Sequence, residues 1–143
     1  MLDIFNKLKP FFEDTYREIS VREYARMTGI SPPTASKLIK NLSKERLLTE
    51  TKKGIYFFFR ANTQRELFRD LALAYWRSYL GSLLREAHDK FLFKKVILFG
   101  SLSKIENTAN SDVDLFVDAP RKDIRLDSLE KKLRRKIQIH FQD

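Results

Sequence analysis

The sequence predicts an α+β protein built from two domains. Helical segments with their own start and stop residues fill most of the first 60 residues and end in a β-prone hairpin. A long helical stretch follows, and after it short apolar runs alternate with turns and one more helix. Helices and strands grouped in this way are typical of the α+β class. We expect one domain over residues 1–61 and a second over residues 62–143, with 62–90 as a connecting helix.

The composition indicates a basic chain. Its 143 residues include 28 Lys and Arg against 19 Asp and Glu, which gives a net charge of +9. The excess is spread over the chain, at +5 for residues 1–60 and +4 for residues 61–143. A positive surface of this kind favours a polyanionic partner, and a solvated surface without a partner is the plainer alternative.

The sequence argues against several classes of protein. It has no cysteine, which excludes disulfides and thiolate metal sites, and its two histidines are too few for an ordinary zinc site. No apolar run approaches the ~20 residues of a membrane helix, and the N-terminus lacks the pattern of a signal peptide. We therefore expect a cytoplasmic protein without membrane contact.

The first thirty residues carry helix boundaries. Apolar residues recur at helical spacing before Pro10, where we expect a bend or a boundary. Ser20 can cap the next helix, and Glu23 completes a capping box with it. Gly29 stands where a left-handed residue would end that helix, whose buried face we expect to include Met27.

A third helix and a hairpin follow. Ser31 caps a helix over residues 31–46, and two prolines occupy its first positions, where a missing N–H costs nothing. Two β-prone runs then flank Gly54, which predicts a hairpin. Helices joined by a glycine-containing turn, the second with a basic outer face, form a helix-turn-helix pattern. Residues 1–60 thus resemble the winged helix-turn-helix DNA-binding domains of archaeal and bacterial regulators.

This resemblance implies a surface for duplex DNA. The helix over residues 31–46 would enter the major groove, and the hairpin would reach the backbone. The candidate DNA-binding residues are Ser31, Thr34 and Ser36 near base edges and Lys37, Lys40, Lys44, Lys52 and Lys53 on phosphates. A winged helix that binds protein instead is the alternative. The aromatic run at residues 55–59 places large side chains on both strand faces, so we expect both to be covered, by the long helix or by a second subunit of a homodimer.

The second half contains three strand-like runs. They are FKKVILFG (93–100), SDVDLFVDA (111–119) and KIQIHFQ (136–142), with a short basic helix between the last two. We expect the first run to be a buried strand that ends at Gly100. In the second run, Val113 and Leu115 face one side of the strand, while Asp112 and Asp114 face the other.

Two aspartates on one strand face indicate a cation site. Their positions lie on the order of 6–7 Å apart along the strand, and like charges so close are unfavourable unless a cation binds between them. Mg²⁺ or Mn²⁺ suits such oxygen ligands, with water and substrate phosphates completing its shell. Gly100 lets a phosphate approach the backbone, and Ser101 offers hydroxyl and N–H donors to it. The sequence therefore predicts metal binding by Asp112 and Asp114 beside phosphate binding by Gly100 and Ser101.

The spacing of these residues matches a family pattern. Gly100-Ser101, ten residues and then Asp112-Val113-Asp114 resemble the GS-x10-DxD motif of polymerase-β-like nucleotidyltransferases, above all the minimal nucleotidyltransferases of archaea and bacteria. The resemblance spans roughly residues 65–143 and implies a small α/β domain. It implies that Gly100 and Ser101 bind the phosphates of a nucleoside triphosphate, with ATP as the first candidate, and that Asp112 and Asp114 are catalytic and hold the metals. The implied reaction transfers a nucleoside monophosphate to a hydroxyl and releases pyrophosphate.

The third strand-like run departs from the family pattern. The family places a third carboxylate there, whereas the face opposite Ile137 and Ile139 carries Gln138 and His140. Gln138 cannot act as a base, and His140 is a poor Mg²⁺ ligand that can accept a proton. Either the domain is truncated and the natural chain extends past Asp143, or the domain binds nucleotide with weakened or lost transfer activity.

Two functions are compatible with the sequence. The first is a Mg²⁺-dependent nucleotidyltransferase that modifies a macromolecule. Within the family this acceptor can be a toxin protein, as for nucleotidyltransferase antitoxins, and the winged helix would then bind the protein's own promoter. The second is a DNA-binding transcriptional regulator whose degenerate transferase domain only senses nucleotide. The Gly-Ser pair and the aspartate pair favour the first function, and the missing third acid favours the second.

Overall fold

The molecule divides into two compact units. The computed structural model describes residues 1–86, 96–118, 121 and 126–142. In this part of the chain, six helices and six strands form an α+β arrangement, which confirms the predicted class. The units are Met1–Ala72 and Leu73–Asp143, so the division falls inside the long helix, beyond the boundary expected at residues 61 and 62.

The first unit combines three helices with a small antiparallel sheet. Its elements are α1 (Asp3–Glu13), β1 (Ile19–Ser20), α2 (Val21–Thr28), α3 (Pro32–Lys44), β2 (Leu48–Lys53) and β3 (Tyr56–Ala61), followed by the start of α4 (Glu66–Glu86). The strand order is β1-β3-β2, and β3 is antiparallel to both neighbours. The predicted hairpin is therefore present, with its turn at Gly54 between paired Lys53 and Tyr56.

Local hydrogen bonds set the helix ends of this unit, as predicted. Ser20 Oγ accepts from the Glu23 N–H at 3.2 Å, and Glu23 Oε1 accepts from the Ser20 N–H at 3.3 Å. Gly29 ends α2 in the left-handed conformation, with a φ of 72°. Ser31 caps α3. Of the bend or boundary expected at Pro10, the boundary is wrong, because α1 continues through this buried proline to Glu13, and the bend stays a prediction.

An aromatic core holds the first unit together. Phe11, Phe12, Phe59 and Phe68 are fully buried. The rings of Phe12 and Phe68 lie 5.5 Å apart between centroids, and the Phe11 ring stacks on Tyr24 at 5.9 Å. Burying large aromatic side chains contributes about 1.5–3 kcal/mol each to folding, so this cluster dominates the stability of the unit. Met27 is not part of it. The expectation of a buried Met27 is wrong, since 46% of this residue is exposed.

The aromatic hairpin is covered only at its base. Phe59 is buried, whereas Tyr56 is 65% exposed and Phe57 is 38% exposed. Within the described chain the tip of the hairpin is therefore uncovered, so cover by the long helix is wrong for the tip, and cover by a second subunit stays a prediction. β1 pairs with β3 only at Ile19 opposite Phe59 and at Ser20 opposite Phe58, at the base of the hairpin. Beyond this point β3 has β2 as its only strand neighbour in the described chain.

The second unit contains the rest of α4 and a mixed sheet. Its further elements are β4 (Val96–Phe99), α5 (Ser101–Lys104), β5 (Val113–Val117), α6 (Asp127–Leu133) and β6 (Ile137–Phe141). The strand order is β4-β5-β6, with β5 antiparallel to β4 and parallel to β6. The predicted end of the connecting helix at residue 90, residues 93–95 of the first strand-like run, Ala119 and Asp143 lie outside the described residues.

The three strands of this sheet differ in burial. On β5, Val113 and Leu115 are buried and Asp114 is only partly buried, so the predicted alternation is confirmed. The prediction of a buried strand at β4 is wrong, because Val96 is 36% exposed and Ile97 is 43% exposed. Among the described residues β4 is an edge strand, paired with β5 on one side alone, and an edge strand is less enclosed than a central one.

Candidate active site

Strand register brings the Gly-Ser turn against the second aspartate. Phe99, the last residue of β4, pairs with Asp114 on β5, and Gly100 follows immediately. Gly100 has a φ of 77°, which favours glycine. A Cβ atom at this position would overlap Asp114 Oδ2 and lie 3.1 Å from the Asp114 Cγ. The conformation and the close approach both require glycine here.

The turn after Gly100 is fixed by its own hydrogen bonds. The carbonyl oxygen of Gly100 accepts from the Ser103 hydroxyl at 2.9 Å and from the Lys104 N–H at 3.1 Å. Ser101 begins the single turn of α5 and is partly buried. Ile105 ends this turn with a φ of 59°. Gly100 and Ser101 therefore have a defined conformation beside Asp114.

The two aspartates lie next to polar residues of β6. Asp112 directly precedes β5, and Gln138 Nε2 donates to Asp112 Oδ2 at 3.0 Å. In the parallel pairing, Gln138 lies opposite Asp114 and His140 lies opposite Phe116. His140 Nε2 is 4.0 Å from Asp114 Oδ1. Gln138 and His140 thus occupy the face of the sheet that carries the aspartates, as the parity of β6 predicts.

An aromatic pair borders the aspartates. The rings of Phe99 and His140 meet edge to face, with centroids 4.9 Å apart. The two residues come from the two outer strands of the sheet, so their rings meet over β5. The Asp114 side chain beside them is 23% exposed, so part of it is in contact with solvent.

The donors at this site fit a metal ion that is shared with a phosphorylated ligand. Asp112 and Asp114 supply carboxylate oxygens, the ligands that Mg²⁺ prefers, and one of the four oxygens accepts from Gln138. Among the described residues, no group of three or more His, Asp or Glu side chains is arranged to hold a metal ion. Mg²⁺ commonly binds one or two carboxylates and completes its shell with water and phosphate oxygens. Two aspartates are sufficient for that mode of binding.

Sequence reasoning missed the residue that holds the loop before β5. Arg135 is only 6% exposed, and its Nη1 donates to the carbonyl oxygens of Thr108 at 2.7 Å and Ser111 at 2.8 Å. Its guanidinium group lies 5.2 Å from the centroid of the buried Trp76 ring. The run KKLRRK gives no signal for this role, because every cation in it resembles a solvated surface residue.

The candidate DNA-binding residues of α3 lie on one helix. Ser31 and Thr34 are exposed at its start and are hydrogen-bonded to each other, with 2.9 Å between their hydroxyl oxygens. Ser36 is partly buried, which limits its access to a base edge. The exposed cations of this helix are Lys37, Lys40 and Lys44.

The two hairpin lysines have partners within the unit. Lys53 Nζ forms an ion pair with Glu18 Oε2 at 2.6 Å and lies 5.3 Å from the centroid of the Phe58 ring. Lys52 Nζ lies 5.6 Å from the centroid of the Phe57 ring. Both lysines remain exposed, but the charge of Lys53 is already partly compensated by Glu18.

Comparison with protein families supports the nucleotidyltransferase interpretation of the second unit. Residues 80–142 match the family model described as "Nucleotidyltransferase domain". This segment is less than half of the chain and contains Gly100, Ser101, Asp112 and Asp114. The match implies nucleotide transfer in general and a nucleoside triphosphate as substrate. Comparisons with curated proteins and with solved structures give no match. None of the helices in the described ranges combines the length and apolar character needed to span a membrane.

Proposed function

We propose that the second unit transfers a nucleoside monophosphate from a nucleoside triphosphate, with ATP as the first candidate, to a macromolecular acceptor. One observation carries this proposal. The Gly-Ser turn packs directly against Asp114, so the two halves of the motif lie side by side although ten residues separate them in sequence. Phosphate binding and metal binding would then occur at one place.

Each of the four residues has a role in this proposal. Gly100 and Ser101 bind the β- and γ-phosphates through backbone N–H groups and the Ser101 hydroxyl. Asp112 and Asp114 hold Mg²⁺ or Mn²⁺, which when bound neutralises charge on the phosphates and aligns them for displacement. An acceptor hydroxyl oxygen forms the new bond to the α-phosphorus and gives up its proton to solvent, while the bond from that phosphorus to the bridging oxygen breaks and pyrophosphate leaves.

Incubation with α-labelled ATP and Mg²⁺ tests the transfer. We expect label in an added RNA or protein fraction with the natural chain, and at least a hundredfold less with the double variant Asp112→Asn and Asp114→Asn. The matched control is Asp118→Asn, an exposed aspartate just after β5 that should transfer normally. Transfer that survives the double change would contradict the assigned metal site.

A second candidate function is a regulator that senses nucleotide without transferring it. The hydrogen bond from Gln138 to Asp112 favours this alternative, because an amide stands where a third acid would complete the metal site. Calorimetry should then show Mg²⁺-dependent ATP binding in a chain that transfers no label. Gln138→Glu supplies the missing carboxylate, and we expect it to raise or restore transfer. A chain that transfers label without this change is an enzyme and not a sensor.

We further propose that the first unit is a winged helix that binds duplex DNA. The order of its elements, the exposed hydroxyls of Ser31 and Thr34, and the exposed lysines of α3 support this proposal. Insertion of α3 into the major groove would place these groups near base edges and phosphates. The basic hairpin would contact the neighbouring backbone.

The salt dependence of DNA binding tests the lysines individually. Replacing Lys37, Lys40 or Lys44 by Ala should each lower the slope of log K against log salt by about 1, because each removes one phosphate contact. Lys53→Ala should have a smaller effect, since Lys53 is already paired with Glu18. Lys131→Ala, an exposed lysine of the second unit, is the control and should leave the slope unchanged. A slope near zero for the natural chain would rule out phosphate neutralisation.

The exposed hairpin tip supports the proposal of a homodimer. Tyr56 and Phe57 are large aromatic residues left uncovered in a single chain, and exposed apolar groups of this size favour a protein contact. Sedimentation of the natural chain and of Tyr56→Ser tests this contact. We also propose that the acceptor of the second unit is a protein, such as a toxin. The first unit would then bind the promoter of the chain's own gene.

A further inference from the structure

We propose that Arg135 is a positioning residue for Asp112, and through it a determinant of metal affinity at the candidate active site. This inference rests on the proposed function, because it assigns Arg135 a role in the metal site described above. Arg135 acts on the backbone that carries Asp112.

Asp112 is held on both sides by consecutive residues of one segment. Arg135 donates to the carbonyl oxygen of Ser111, the residue before Asp112, at 2.8 Å. The carbonyl oxygen of Lys136 accepts from the N–H of Val113, the residue after Asp112, at 2.8 Å. Gln138, two residues further on, donates to the Asp112 carboxylate. The position of Asp112 therefore depends on the segment that joins α6 to β6.

Arg135 also closes the loop that leads to Asp112. Its Nη1 bridges Thr108 and Ser111, and Ser111 Oγ accepts from the Thr108 N–H at 2.8 Å. Arg135 and the Trp76 ring over which its guanidinium lies are both buried. In such a place hydrogen bonds are electrostatically stronger than in water, and an unpaired carbonyl is costly. Removing the guanidinium group should loosen the loop more than loss of an exposed hydrogen bond would.

A lysine cannot reproduce this arrangement. The guanidinium group is planar, presents donors in a fixed fork and stacks on aromatic rings, whereas an ammonium group is a compact point charge. Arg135→Lys keeps the charge but should lose the bridge between the two carbonyls. The β5 backbone stays paired through Val113, so the change should fall mainly on Asp112.

The test measures the Mg²⁺ concentration needed for half-maximal binding of a non-transferable ATP analogue, by calorimetry on the full chain. We expect Arg135→Lys to raise this concentration about tenfold, as is typical when a group that orients a metal ligand is lost. The matched control is Arg134→Lys. Arg134 is the exposed neighbouring arginine at the end of α6, and this change should leave the required Mg²⁺ concentration unaltered. Melting temperatures of both variants are measured alongside.

The outcomes separate this inference from the proposed function. If Arg135→Lys lowers the melting temperature while the folded variant keeps the natural Mg²⁺ requirement, Arg135 is merely structural and the inference is overturned. If the natural chain binds no ATP analogue with Mg²⁺, the proposed function fails and takes the inference with it.

A second measurement applies if Arg135→Lys does not fold. Amide hydrogen exchange of the natural chain should show Ser111 and Val113 as strongly protected as the middle of β5. Fast exchange at Ser111 would show that Arg135 does not hold the loop, and would overturn the inference without any variant.

Discussion

The two sheets of the molecule are assembled from pieces at different distances along the chain. In the first unit, β2 and β3 form a hairpin closed by two residues between Lys53 and Tyr56, and the short β1 adds to it antiparallel. In the second unit, β4 meets β5 across the α5 turn and the loop that carries Asp112. β5 then meets β6 in parallel, and a parallel pair needs a crossover connection, here one that contains α6.

This difference shows why the second unit carries the candidate active site. Parallel pairing places Gln138 and His140 of β6 beside the aspartates of the central strand, while antiparallel pairing places Gly100 on the other side. Groups from three strands therefore converge on one face. The hairpin of the first unit offers no such convergence and presents exposed lysines and aromatic rings instead.

The largest effect is expected from the aromatic residues of the two sheets. Phe59→Ala removes a fully buried ring from the first unit and should cost about 4 kcal/mol of unfolding free energy. Phe99→Ala removes a ring that is 36% exposed on β4 and should cost less than about half as much. Denaturant unfolding followed by circular dichroism measures both. Equal losses would contradict the difference in burial between the two sheets.

An intermediate effect is expected from the glycines. Gly100→Ala combines an unfavourable φ with overlap of the Asp114 carboxylate, and we expect a loss of about 3 kcal/mol. Gly29→Ala has a similar φ, but no atom lies within 4 Å of the added carbon, so the expected loss is about 1 kcal/mol. The fluorescence of the single tryptophan, Trp76, reports unfolding of the second unit, and circular dichroism, which reports loss of helix in both units, follows the Gly29→Ala variant. A loss of unfolding free energy in Gly100→Ala no larger than that in Gly29→Ala would mean that the Asp114 side chain can move away from the added carbon.

The smallest effect concerns the capping box of α2 and its dependence on pH. The hydrogen bond from Arg17, 2.7 Å from Glu23 Oε2, holds the pKa of Glu23 below its usual value. A lowered folded-state pKa means that the stabilisation is present above the unfolded-state pKa near 4.3 and is lost as pH falls through the folded-state pKa. Glu23→Gln should cost about 0.5 kcal/mol at neutral pH and remove this part of the acid sensitivity.

The control for this prediction is the cap of α3. Ser31→Ala should cost up to about 1 kcal/mol, because its hydroxyl accepts from the Thr34 N–H, but no carboxylate takes part in this cap. The unfolding free energy lost in Ser31→Ala should therefore be the same at pH 7 and at pH 4. An unfolding free energy that depends on acid to the same extent in Glu23→Gln as in the natural chain would contradict the role assigned to Glu23.

Residues close together in sequence made part of the fold predictable. The Ser20–Glu23 box, Gly29 and Ser31 act within about one helical turn, so their partners can be identified from the sequence. The alternation of Val113, Asp114 and Leu115 follows from strand geometry alone. The same local patterns gave no means to see that Tyr56 and Val96 are exposed, because an apolar run looks the same whether or not other elements pack against its faces.

By itself, the sequence determined which groups this protein offers for phosphate and metal, through the Gly-Ser pair and the two aspartates. Tertiary structure alone decided that Gly100 touches Asp114 and that Gln138 bonds to Asp112. It also decided that Arg135, one cation in a basic run, is buried over Trp76 and holds the loop. The physical reason is that register and burial arise from contacts between distant segments, whereas a linear pattern records only the neighbours of each residue.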